Sequence, residues 1–179
     1  MPNWITNIFE ATGSPGDIKR LMAKVKTKKG KRDERLPFDF NEVVRMPREL
    51  SNIRDGACTI NGVRCEQWYE MGPSGAPEPI VGAELERLMK KTGGFKSWYD
   101  WSCRNWGTKW NACHPDDAEL QKNGKHHTVV YRFDSAWSPP EPVYRELSKM
   151  FPKVDFSLYW QDEGDNEDHN ETFKNGKRT

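Results

Sequence analysis

One piece of local chemistry is written twice in this 179-residue chain, and it limits the folds open to it. Asn3 to Glu10 reads as a short strand, and Ser14-Pro15-Gly16-Asp17 follows it. That string has the form of a capping box, with Ser14 as N-cap, Pro15 in the first helical position and Asp17 in place of the usual Glu. Ile18, Leu21, Met22 and Val25 then recur at the spacing of an amphipathic helix that ends near Lys28. Much later, Thr128 to Asp134 alternates Val129, Tyr131 and Phe133 with Val130, Arg132 and Asp134. Ser138-Pro139-Pro140-Glu141 repeats the box, and Val143, Leu147, Met150 and Phe151 repeat the stripe.

Each helix is followed by a segment that can be a strand. After the first comes Pro37 to Arg45, a strand or the start of another turn; after the second, beyond Pro152, Val154, Phe156, Leu158 and Trp160 alternate with Asp155, Ser157, Tyr159 and Gln161. Two βαβ halves predict an α+β fold, a ferredoxin-like split βαβ sheet with helices on one face. The term denotes topology, since no cysteine spacing here suits an iron–sulfur cluster. The expected organisation is a single domain over 1–179, with residues 46–125 as an insertion between the halves and 164–179 as an acidic, flexible tail. The insertion holds a predicted helix over Ala83 to Lys91 and a Trp-rich helical or loop segment from Phe95 to Ala112.

Composition enters where disorder must be excluded. Only 35% of the residues are hydrophobic, but eight Trp and a formal net charge of +1 describe a folded, aromatic-anchored chain. No apolar run approaches the roughly 20 residues of a membrane span, and the N-terminus lacks a basic-then-apolar signal. Four cysteines in such a chain read as reduced thiols. The expectation is a cytoplasmic protein with no membrane partner.

The opening Met1-Pro2-Asn3-Trp4-Ile5-Thr6-Asn7, the segment Asn105-Trp106-Gly107-Thr108-Lys109-Trp110-Asn111-Ala112, and Phe133-Asp134-Ser135-Ala136-Trp137-Ser138-Pro139-Pro140 together resemble the YubB-like proteins of conjugative plasmids and bacteriophages. The resemblance implies a ferredoxin-like domain and a mobile-element origin in a bacterial host. It supplies no catalytic residue.

Charge is balanced in sum and uneven in place. Lys19 to Arg35 carries nine basic residues against Asp33 and Glu34, while Asp155 to Glu171 carries seven acidic residues and no Lys or Arg. The acidic stretch reads either as a solubilising tail or as a mimic of nucleic-acid charge. In the second case Asp162, Glu163, Asp165, Glu167 and Asp168 meet a basic groove on a partner. In the Trp-rich segment the rings read either as core anchors or as exposed interface or base-stacking residues; as core anchors they leave Asn105, Thr108 and Lys109 as partner-binding candidates at the surface. The basic run offers Lys24, Lys28, Lys29, Lys31 and Arg32 to phosphates. The open sheet face, with Tyr159 as its aromatic, is a poor platform for stacking bases. Cys58-x6-Cys65 and Cys103-x9-Cys113-His114 lack the close pair of a zinc site, and His126-His127 reads as a polar strand entry. No catalytic constellation, metal site or cofactor motif stands out. The sequence therefore points to a non-enzymatic accessory protein that binds a host protein or ribonucleoprotein, of the kind that blunts a bacterial defence system. Nucleic-acid binding through 19–35 is the alternative.

Overall fold

The computed structural model describes residues 2–28, 36–54, 56–60, 62–66, 68–165 and 167–179. Two compact units are present, one formed by Met1–Arg45 with Asn105–Thr179 and one by Met46–Arg104. In chain order the elements are β1 (Trp4–Gly13), α1 (Pro15–Val25), α2 (Phe40–Val43), β2 (Ala57–Ile60), β3 (Val63–Glu66), β4 (Tyr69–Met71), β5 (Pro77–Pro79), α3 (Gly82–Thr92) and α4 (Trp98–Asn105). Then come β6 (Glu119–Asn123), β7 (His126–Ala136), α5 (Glu141–Met150), β8 (Asp155–Asp162), β9 (Asp168–Lys174) and β10 (Lys177–Arg178). No helix among the described residues is long and apolar enough to cross a membrane.

The first unit is built on one antiparallel sheet in the order β10-β9-β8-β1-β7-β6. Its β8-β1-β7-β6 portion, with α1 after β1 and α5 after β7, is the ferredoxin-like split βαβ layout. Paired residues share a face, so the registers Phe9↔Tyr131 and Phe9↔Leu158 put these three side chains together. They lie on the face that α1 covers with Ile18, Leu21 and Val25, and α5 with Val143, Tyr144 and Leu147. Phe9 is fully enclosed, its ring 4.5 Å from Tyr144, 5.5 Å from Phe38 and 5.7 Å from Phe156. Large rings fill the volume that Leu, Ile and Val fill in most cores.

Ser14 caps α1 as the sequence predicts. Its hydroxyl accepts from the Asp17 amide at 3.2 Å and donates to the Asp17 carboxylate at 2.6 Å. Four other expectations need correction. Ser138 caps nothing: α5 starts at Glu141 after Pro140, with no side-chain cap. Residues 37–45 form no strand. Asp39, itself buried, caps the short α2 by accepting from the Asn41 amide at 2.9 Å, and the position next to β7 goes to β6.

The third correction concerns the end of the insertion. Residues 105–125 belong to the sheet unit, because the Trp106 indole N–H donates to the Val44 carbonyl (2.8 Å) and the Asn111 amide donates to the Asp39 carboxylate (2.7 Å). The fourth concerns 164–179, which is no flexible tail. Most of it forms β9 and β10, held by Phe173, 1% exposed and 5.7 Å from the Tyr144 ring, and by a 2.8 Å pair between Arg178 and Glu171.

The second unit contains two small hairpins, β2–β3 and β4–β5, with α3 and α4. The helix expected over 83–91 is α3, closed by Gly93 in the left-handed region (φ 70°). Lys96 lies 4.3 Å above the Trp68 ring.

Candidate partner-binding surface at one end of the sheet

β1 begins, and β7 and β8 finish, at one end of the sheet, and Asn3 joins them there. Its carbonyl accepts from the Trp137 amide at 2.9 Å, and its side-chain amide donates to the Asp162 carboxylate. The Trp4 carbonyl accepts from the Glu163 amide at 3.1 Å. The β8–β9 turn is therefore fixed at its base.

Its own carboxylates organise the rest. Asp162 accepts from the Gly164 amide at 2.7 Å, and Asp165 accepts from the Glu167 amide at 3.1 Å, the local side-chain-to-backbone bonds that stabilise tight turns. Asp168, at the start of β9, accepts the Tyr159 hydroxyl at 2.5 Å, and this bond leads the causes that push the Tyr159 phenol above its usual range. Glu163, Asp165, Glu167 and Asp168 are exposed. Among the described residues, no Lys, Arg or His lies within ion-pair distance of any of the five carboxylates.

The Trp-rich segment reaches the same end. Trp106 is buried, and Gly107 (φ 79°) turns the chain so tightly that a Cβ there would meet the Pro142 ring at 2.7 Å. Thr108 is not at the surface. It is 1% exposed, and its hydroxyl donates to the Ala136 carbonyl at 2.8 Å and accepts from the Ala136 amide at 3.0 Å. It acts as a side-chain substitute for a neighbouring strand at the end of β7. Lys109 is half-buried with its ammonium 4.7 Å from the Trp110 ring, and Trp110 lies 6.0 Å from Trp4. Asn105 is half-buried at the end of α4.

The acidic set and Lys109 are thus brought to one end of the sheet, through Asn3, Trp4 and Trp110. Lys24 and Lys28 are not. α1 packs over β7, whereas the acidic turn hangs from β8 and β9 on the far side of β1. Lys24 is half-buried in the last turn of α1, and Lys28 lies 3.4 Å from Glu42. Lys29, Lys31 and Arg32 lie outside the described residues.

Sequence reasoning missed two features here. Trp137 is 56% exposed with φ 74°, a left-handed backbone that a bulky residue rarely adopts. His114 (φ 45°) bonds Asp134 at 2.9 Å, with its ring 5.0 Å from Trp4. Trp137 alone left a trace in the sequence, a large ring lying between the last strand residue and a Ser-Pro pair.

Sheet order, helix placement and the β1-α1-β6-β7-α5-β8 connection define a ferredoxin-like α+β protein. Residues 105–178 match the family model described as a ferredoxin-like domain in Api92-like protein. The crystal structure of the protein Api92 from Yersinia pseudotuberculosis is similar to this chain with a TM-score of 0.52 and 13% identity, the match covering 98% of this chain and 95% of that one. Similarity at that identity speaks to the fold. No curated protein matches the chain.

Proposed function

We propose that this chain is a non-enzymatic accessory protein that binds a host protein or ribonucleoprotein through the acidic β8–β9 turn, occupying a groove that otherwise holds nucleic acid. On this reading it is an inhibitor of a bacterial defence system, of anti-CRISPR or anti-restriction type, encoded by a phage or plasmid and acting in the bacterial cytoplasm. The observation that carries the proposal is a turn, held by its own side-chain-to-backbone bonds, whose carboxylates form no ion pair among the described residues. Carboxylates not engaged in ion pairs can steer a basic partner. The resemblance to plasmid and phage proteins directs the choice of partner.

The test begins with a pull-down from bacterial lysate, run with and without nuclease, and continues with association kinetics on the captured partner. Charge reversal at Asp162, Glu163, Asp165, Glu167 and Asp168 is expected to slow association by about tenfold or more and to remove its salt dependence. An association rate untouched by the reversal rejects the proposal. The alternative, nucleic-acid binding by 19–35, instead requires oligonucleotide affinity that falls steeply with salt, with a slope flattened by neutralising Lys24, Lys28, Lys29, Lys31 and Arg32.

A further inference from the structure

We infer that Trp137 is the anchor of this surface, and that the partner meets it with an arginine-bearing face whose guanidinium lies on the indole. The inference deepens the proposed function and rests on it.

Three observations carry it. Trp137 is 56% exposed, the only Trp among the large apolar side chains left in solvent, and it makes no ring contact with another aromatic among the described residues. Its exposure is enforced by bonds on both sides in sequence. The Ala136 backbone is clamped by Thr108, the Trp137 amide is held by Asn3, and the Ser138 carbonyl accepts from the Ser135 hydroxyl at 2.8 Å while the Ser138 hydroxyl donates to the Gly107 carbonyl at 2.5 Å. A bulky residue in the left-handed region is unfavourable, and it persists here because these neighbours over-determine the backbone.

The third observation is chemical context. Asn3, whose carbonyl holds the Trp137 backbone amide, is also the residue whose side chain holds Asp162, so the backbone that carries the indole and the base of the acidic turn meet at one residue. An exposed indole and a turn of carboxylates without ion pairs among the described residues, both at one end of the sheet, match a guanidinium better than any other side chain. Arginine stacks on the ring and bonds carboxylates in a planar fork, whereas lysine offers a strongly hydrated point charge. Large rigid aromatics of this kind dominate the energetics of interfaces.

The experiment titrates a nona-arginine peptide and a nona-lysine peptide into the full-length protein and into three variants: Trp137→Ala, Trp137→Gly and the combined Glu163→Lys, Asp165→Lys, Glu167→Lys. We expect nona-arginine to bind the wild type more tightly than nona-lysine, and both Trp137 variants to lose about tenfold or more of that affinity. Melting curves separate this loss from misfolding. Both variants should melt cooperatively, with Trp137→Gly about 2–4 °C above Trp137→Ala because glycine accepts the left-handed backbone. Nona-arginine binding that depends on the carboxylates but is the same in wild type and both Trp137 variants overturns the anchor and leaves the acidic surface standing. Equal binding by the wild type and the charge-reversed variant overturns the acidic reading, and this inference with it.

Discussion

The two strand-to-helix junctions of the sheet unit start from nearly the same residues and solve their geometry in different ways. At Ser14-Pro15-Gly16-Asp17 the junction is self-contained: the Ser14 hydroxyl caps α1, and Asp17 and Arg20 complete the first turn. At Ser138-Pro139-Pro140-Glu141 a second proline replaces the glycine. Pro140 stands as the residue before the helix, and α5 starts at Glu141, two residues later than the capping box predicts. Ser138, released from capping, bonds the Gly107 carbonyl instead. The same Ser-Pro start therefore caps one helix and not the other. Where it does not cap, the serine finds partners elsewhere in the fold.

The sharpest way to break the comparison is at Thr108, which serves the second junction and has no counterpart at the first. Thr108→Val keeps the shape but leaves the Ala136 amide and carbonyl unpaired in a buried site. We expect a loss of about 2–4 kcal/mol in denaturant unfolding, with the damage centred on the end of β7.

The paired substitution Ser14→Ala and Ser138→Ala has a smaller effect. Each is expected to cost about 1 kcal/mol, for different reasons. Hydrogen exchange distinguishes them: Ser14→Ala should fray the first turn of α1, while Ser138→Ala leaves the amides of α5 protected. Equal fraying of the two helices would restore the second capping box.

The smallest effect is on proton binding. Hydrogen bonds from Ser14 and then Arg20 hold the Asp17 carboxyl below its ordinary value of 3.8. A carboxylate depressed by folding stabilises the fold above the unfolded value, and that contribution is lost as pH falls through the folded value. Ser14→Ala should move Asp17 back toward 3.8 in an NMR titration of the side-chain carboxyl, and Ser138→Ala should not move it.

Legibility in the sequence follows how much of each element is buried. β1, α1, β7, α5 and β8 carry an apolar face against the core, so their periodicities stand out and the ferredoxin-like arrangement can be read from them. β6 is exposed at every position, Glu119 to Asn123, and its polar sequence carries no alternation to detect. β9 places Phe173 alone in the core, while Glu171, at another inward position, pairs with Arg178 through one carboxylate oxygen and reads from sequence as one more acid of a tail. Pro37 to Arg45 has the apolar content of a strand because Phe38 and Phe40 fill the core from a loop and a single helical turn. At the candidate surface the acidic residues were visible as composition. Their order was not, because it depends on Asn3 and Trp4 meeting residues about 160 positions away. Thr108 looked like a surface residue since nothing local announces a partner at Ala136.

The place of β1 in the sheet has a consequence in time. β1 lies between β7 and β8, and its registers run to residues 127–136 and 155–162. During synthesis the ribosome must therefore add more than a hundred residues after β1 before either neighbour exists. At about 5–20 residues per second this is on the order of ten seconds. Throughout that interval Ile5, Phe9 and Ala11, which the finished fold encloses completely, have no sheet to join. Residues 46–104 lengthen the wait while contributing no strand to that sheet. A nascent chain of this design depends on its own α1, or on a chaperone, to cover the apolar side of β1 until the last third of the protein arrives.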